Sequence, residues 1–250
     1  MTVADKARKL TDVVAVGDVH GLFGEFRYRI KERYKIFDSV ICVCGDFGMG
    51  FHRPEYYVTE LAKLNRIAEK NNDVIIVVRG NHDDPACFTG AYELGNIKLV
   101  SDYSTIQTKC EKILFIGGGV SIDRTQRALE KTYWPDETSV YDEERLYVAG
   151  KPDILITHNA PSFCTPTTKE GISYWMKHDT TLGADCDRER QIFTRIYDFL
   201  EDNDRIPHTW AYGHYHMSDS MLMLEDTEFK ALNELEFFLI QRKNHNEETK

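Results

Sequence analysis

Short apolar runs alternate with amphipathic stretches along the first two thirds of this chain. Five runs read as buried strands: Asp12–Val16, Ser39–Cys44, Val74–Val78, Ile113–Ile116 and Ile154–Thr157. Each is rich in valine and isoleucine and is closed by glycine or polar residues. Between the first three, apolar positions recur at helical spacing. Leu22, Phe26 and Ile30 form one stripe, and Tyr57, Leu61, Leu64 and Ala68 form another. Pro54 suits the first turn of the second helix. A third helix is expected over Arg188–Leu200, with Ile192, Ile196 and Phe199 along one face.

Strand, helix, strand, helix, strand implies parallel pairing with right-handed crossovers. The C-terminal third changes character, because "TWAYGHYHMSDSMLMLED" and "NELEFFLIQ" read as strands with no helix between them. An α/β sandwich of two mixed sheets flanked by helices fits this order better than one doubly wound sheet. No repeat and no Gly/Pro/Ser-rich linker interrupts the 250 residues, so a single domain over 1–250 is expected, with a polar tail from about 241.

Composition narrows the function classes. Apolar residues make up 42%, as in a folded globule. No apolar run approaches the ~18–20 residues that span a bilayer. The opening "MTVADKARKL" has no apolar signal core, so a cytoplasmic protein without membrane contact is expected. The six cysteines form no C-x-x-C pair, and Cys42 and Cys44 sit at period two inside a strand, as small buried hydrophobes do. A net charge of −10 disfavours sequence-independent nucleic-acid binding, yet leaves room for a small phosphate ester drawn into a cation-charged cleft.

The chemistry sits where the strands end. "GDVHG" places Asp18 and His20 after the first strand, and "CGDFG" places Asp46 after the second. "RGNHDD" follows the third with Asn81, His82, Asp83 and Asp84. "ITHNAP" then supplies His158, and "YGHYH" supplies His214 and His216. Ligands bind beyond the carboxyl ends of strands in open α/β sheets, where separate loops converge. Carboxylates, an amide and imidazoles brought to one place suit a pair of divalent cations. Two such ions clamp an in-line displacement at phosphorus and turn water into a nucleophile near neutral pH.

In this order, "GDVHG", "GDFG", "RGNHD", "TH" and "GHYH" resemble the motifs of the calcineurin-like metallophosphoesterases. Each is weak alone; five in sequence between residues 17 and 216 are specific. The resemblance implies a four-layer α/β/β/α sandwich and two divalent ions, with manganese, iron and zinc all compatible. It assigns one ion to Asp18, His20 and His216, the other to Asn81, His158 and His214, and shares Asp46 between them. It makes His82 the general acid, oriented by Asp83, and implies hydrolysis of a phosphate monoester or diester by metal-bound hydroxide.

The chain departs from the protein Ser/Thr phosphatase branch, which carries an Asp and a phosphate-gripping Arg soon after the second motif. Met49 and Gly50 stand there instead. The stretch "FIGGGVSIDRTQRALEKTYWPDE" is similar to one in phage and bacterial members. Arg124, and with it His52 or Arg53, are the candidates for the phosphate contact, because they lie on loops near the motifs. A small or nucleotide-like ester is the expected substrate; a nuclease, a protein phosphatase or a scaffold without turnover are the alternatives. "DFG" at Asp46–Gly48 also occurs in kinases, but no kinase Gly-rich loop, strand lysine or H-R-D segment accompanies it. His52, His178, His208 and His245 lie outside the motifs, where local bonding or solvation is the ordinary role. Arg79 reads as an ion-pair partner and Asp84 as a cap beside Pro85.

Overall fold

The computed structural model describes residues 1–223 and 227–242. The chain opens with a short helix, α1 (Val3–Ala7), and then β1 (Asp12–Val16). Next come α2 (Phe23–Tyr28), prolonged by a π-helical turn at Arg29–Arg33, β2 (Ser39–Val43), α3 (Pro54–Asn71) and β3 (Val74–Val77). Short strands β4 (Glu93–Leu94), β5 (Ile97–Leu99) and β6 (Ser104–Gln107) lead to β7 (Lys112–Ile116). Then follow α4 (Glu143–Ala149), β8 (Ile154–Thr157), α5 (Ile172–Trp175), α6 (Leu182–Asp202) and β9 (Thr209–Tyr212). Three strands close the order: β10 (Asp219–Met223), β11 (Thr227–Ala231) and β12 (Phe237–Leu239).

The strands form two mixed six-stranded sheets, β12-β1-β2-β3-β5-β4 and β10-β11-β9-β8-β7-β6. Three apolar clusters show how they stack. Val14, Val16, Ile41 and Val43 point from the first sheet to Phe26 of α2 and Leu61 and Leu64 of α3. Their neighbours in sequence, Val13, Ala15, Val40 and Cys42, point the other way, against Ile113, Phe115, Ile154 and Ile156 of the second sheet. Leu114, Leu155 and Trp210 then face Leu146 of α4 and Phe193 and Ile196 of α6. Alternation along each strand thus feeds two cores at once, and the result is the four-layer α/β/β/α sandwich. Cys42 and Cys44 belong to the layer between the sheets, where burial pushes their thiol pKa up and keeps them protonated.

Two boundaries differ from the sequence pattern. Helix α6 begins at Leu182, six residues before the expected start at Arg188, since its first two turns carry no apolar stripe and bury only Leu182. The C-terminal apolar stretch is two strands separated by the turn that carries His214 and His216. Residues 224–226, 243–250 and with them His245 and most of the expected tail lie outside the described residues. Among the described residues, no helix is long and apolar enough to cross a membrane.

At the amino ends of the parallel strands, Asp73 is wholly buried and accepts a 3.1 Å bond from the Ser39 amide, while its Oδ2 has no partner. Burial, with the Asp38 carboxylate adding to it, pushes the Asp73 pKa up to about 7. The folded chain therefore holds a proton that the unfolded chain releases near 3.8, and stability falls as pH rises between these values. Asp73→Asn removes this dependence: its melting temperature should exceed the parent's at pH 8 and match it near pH 4. Parallel melting curves for the two proteins across that range would count against the assignment.

Candidate metal centre

Register brings the motif ends together. Val16, Val43 and Val77 are paired across parallel β1, β2 and β3, so Asp18, Asp46 and Asn81 leave the first sheet at one rim. In the second sheet Ile116 pairs with Thr157 and Ile156 with Ala211, so His158 and His214 leave beside one another. The two rims are stitched at that point. The His214 amide donates to Asp18 Oδ1 at 3.0 Å, and His158 Nδ1 donates to the Cys44 carbonyl at 2.8 Å.

The backbone is strained where the side chains converge. His20, Asp46, His214 and His216 have φ of 48°, 46°, 68° and 52°, the left-handed region that non-glycine residues enter at about 1–3 kcal/mol each. The packing leaves no room for side chains on adjacent residues. A Cβ on Gly80 would lie 2.1 Å from Asp46 Oδ1, and one on Gly213 would lie 2.0 Å from Asp18 Oδ1. The glycines in "RGNHD" and "YGHYH" are therefore required for close approach to the carboxylates.

Two groups of donor atoms result. Oxygen or nitrogen atoms of Asp18, His20, Asp46 and His216 all lie within 4.8 Å of one another. His20 Nε2 is 3.0 Å from His216 Nε2, which is 3.1 Å from Asp18 Oδ2. Beside them, His158 Nε2 lies 3.0 Å from Asn81 Oδ1, 3.1 Å from His214 Nδ1 and 3.4 Å from Asp46 Oδ1. Asp46 is common to both groups, and its Oδ2 is buried with no hydrogen-bond partner. An orphaned carboxylate oxygen amid converging imidazoles fits a divalent cation.

Outer partners fix how each donor is presented. Because a carbonyl can only accept, the Cys44 bond keeps the proton on His158 Nδ1 and leaves Nε2 bare toward Asn81 and Asp46. Asn81 Nδ2 donates to Ser121 Oγ at 3.1 Å, which turns Oδ1 inward. Glu234 Oε1 sits 3.3 Å from His216 Nδ1 and performs the same service there. Electrostatics favour the metal-binding forms of His214 and Asp46. Burial, with the nearby Lys169 charge, holds His214 well below the usual histidine range. Burial opposes ionisation of Asp46, but the surrounding imidazoles, His158 first, outweigh it and hold its carboxyl well below the ordinary value. His216 differs: the hydrogen bond to Asp18 raises its pKa, toward the protonated form that a cation would have to displace.

The seven residues expected to hold the ions lie together here, but the other expected site residues divide. His82 stands over the group, its ring 4.9 Å from that of His20 and stacked 6.0 Å from Phe51. Its Nε2 accepts from Arg127 at 2.5 Å, and burial, with that cation contributing, lowers its pKa to about 4. Asp83 does not orient it. The Asp83 carboxylate accepts from the amides of Phe47, Gly48, Met49 and Gly80 at 2.7–3.0 Å and holds the loops themselves. Arg124 is also committed elsewhere. It bonds Asp179 and Asp185 at 2.6 Å and Thr181 at 2.9 Å, tying its loop to the start of α6. His52 and Arg53 are exposed before α3, where the His52 ring packs on Tyr56 at 4.2 Å.

Among the described residues, the cations beside the centre are Arg127 and Lys169. An open groove of about 370 Å³ over Asn81, His82 and His216 is lined by both. Arg127 also donates to Ser121 Oγ at 3.0 Å and pairs with Asp123 at 2.7 Å. Lys169 has no carboxylate partner among the described residues, although its charge acts on Asp46, His82 and His214. Neither lies on a periodic element, so only proximity in the fold reveals them. Arg79, as expected, pairs with Asp102 at 2.7 Å, Asp84 caps the Pro85–Phe88 turn, and His208 bonds Glu111 at 3.1 Å.

Fold and site together define a two-sheet α/β protein with a carboxylate–imidazole metal centre at the strand ends. The sequence profile of the calcineurin-like phosphoesterases matches residues 11–218, and the chain belongs to that family. No curated protein matches it. Among solved structures, a hypothetical protein from Thermus thermophilus is similar at 14% identity, over 89% of this chain and 75% of that one, with TM-score 0.42. A point mutant of a cold-active protein tyrosine phosphatase is similar at 14% identity, over 92% of this chain and 75% of that one, with TM-score 0.40.

Proposed function

We propose that the protein hydrolyses small phosphate monoesters at a centre of two divalent cations. The observation that carries this reading is Asp46, a buried carboxylate shared by two donor groups and left with one oxygen unbonded. Asp18, His20 and His216 would hold one ion, and Asn81, His158 and His214 the other. Bound there, manganese, iron or zinc would supply charge neutralisation at phosphorus and a nucleophile from water.

The chain's own residues do the rest. Arg127 and Lys169 bring two positive charges to the groove over the centre, which favours a dianionic monoester over a monoanionic diester. Arg127, which bonds His82 Nε2, Ser121 Oγ and Asp123, would turn its His82-facing N–H to a phosphoryl oxygen. His82, its pKa now lowered to about 4, would hand a proton to the leaving oxygen only once that cation is drawn away and the phosphate dianion raises it. Phe51 on the ring face limits water around it.

Protein stripped of metal should be inactive on p-nitrophenyl phosphate and regain turnover with Mn²⁺, with weaker turnover of bis(p-nitrophenyl) phosphate. Arg127→Ala should lower kcat/KM for the monoester by about 10- to 100-fold, the worth of a charge-assisted contact, and much less for the diester. No turnover of either ester with Mn²⁺, Fe²⁺ or Zn²⁺ would refute the hydrolase. Equal losses on both esters would remove the case for a monoester.

A further inference from the structure

A second cavity, of about 230 Å³, adjoins the groove over the metal centre. The two share Ile122, Lys169 and Tyr215, and the metal-facing His214 stands in the wall of the second. Its far side is built by α5 and the start of α6, with Ile172, Met176 and Gly183 exposed to the space.

The polar groups buried in its wall are already bonded to one another. Glu189 accepts from the Val120 amide and from Asn159 Nδ2, each at 2.8 Å. Asn159 Oδ1 accepts from the Tyr215 hydroxyl at 2.6 Å. Arg190 spends its donors on the Pro161, Cys164 and Pro166 carbonyls and on Tyr215. Thr167, Thr168, Lys169 and Asp187 also line the space but are exposed or half-exposed, so the buried part of the wall offers little to a nucleobase, whose edges need free donors and acceptors, and favours an apolar occupant. The volume suits a ring, since an apolar cavity of about 150 Å³ already holds benzene.

On the hydrolase reading above, we propose that this cavity is the subsite for the ester's organic group, and that the substrate is a phosphate ester of a compact apolar or aromatic alcohol. The phosphate lies in the groove and the ring passes Ile122 and Tyr215 into the cavity. Gly183 sets its depth: a Cβ there would meet the Met176 methyl at 2.8 Å, the movable end of a flexible side chain.

Phosphonates test this without turnover. Calorimetry on the Mn²⁺-loaded protein should find benzylphosphonate bound about 10- to 100-fold more tightly than methylphosphonate, the effect of burying one ring. Gly183→Leu fills the space with a better helix former and should bring that ratio close to one. Met176→Ala, at a half-exposed position, should extend the preference to 1-naphthylmethylphosphonate. Equal affinities in the parent, a benzyl preference that survives Gly183→Leu, or tighter binding of a nucleoside monophosphate would each overturn the subsite. A benzyl preference that is lost in Gly183→Leu, in a protein that hydrolyses no ester, would sustain the subsite and sink the hydrolase reading alone.

Discussion

Asp46→Asn should lower kcat/KM for p-nitrophenyl phosphate by at least about 10³-fold, more than the loss of any single hydrogen-bond donor at such a site. The carboxylate is the one group common to both donor sets, so in the proposed two-cation centre its neutral replacement weakens both ions together. The amide keeps the Oδ1 acceptor that the His82 backbone N–H uses at 2.6 Å, so the loop geometry survives. It places an N–H₂ group where Oδ2 now stands unbonded, facing the positions a cation needs. Metal analysis should show the variant depleted, and the rise in melting temperature that Mn²⁺ gives the parent should shrink, because a ligand stabilises only the state that binds it. In the absence of metal the variant should melt lower than the parent near neutral pH, since the imidazoles that hold the Asp46 carboxyl ionised in the fold lose that partner. Parent-like turnover with a parent-like metal content would exclude a bridging role for Asp46.

The residues of the candidate centre were readable because each follows an apolar strand within four positions, and parallel pairing makes strand ends neighbours. Val16, Val43 and Val77 convert a spacing along the chain into a shared rim, and the glycines before Asn81 and His214 mark where backbone must approach a carboxylate. The layers were readable for a related reason: consecutive apolar residues in β1 and β2 must face two cores. What stayed hidden lies on irregular segments. Arg124 and Arg127 are three residues apart on one loop, and no pattern says that the first closes on α6 while the second reaches His82. Lys169 comes from another irregular stretch, 42 residues beyond Arg127, and Glu234 from a turn beyond β11. The polar first turns of α6 carry no apolar period, because Arg124 and Leu182, rather than a stripe, hold them down.

Asp83 shows how adjacency misleads, and its replacement should have the second large effect. Next to His82 in sequence, it reads as an acid–base pair; in the fold its two oxygens take four backbone N–H groups. Gly48 and Met49 donate to Oδ1 at 2.7 and 2.8 Å, and Phe47 and Gly80 donate to Oδ2 at 3.0 and 2.9 Å. One carboxylate thus ties the loop after β2, which carries Asp46, to the loop after β3, which carries Asn81. Asp83→Ala leaves four buried donors without acceptors and should cost about 3–5 kcal/mol of stability. For a chain of this size that lowers the melting temperature by roughly 10 °C. Asp83→Asn keeps one acceptor oxygen and turns an N–H₂ group toward two of the donors, so it should restore only part of the loss. Metal affinity should fall in step with stability in both variants, since the carboxylate acts on the two ligands through the loops. An Asp83→Asn protein with the parent's melting temperature and metal content, but a displaced pH–rate profile, would return Asp83 to the role of partner to His82.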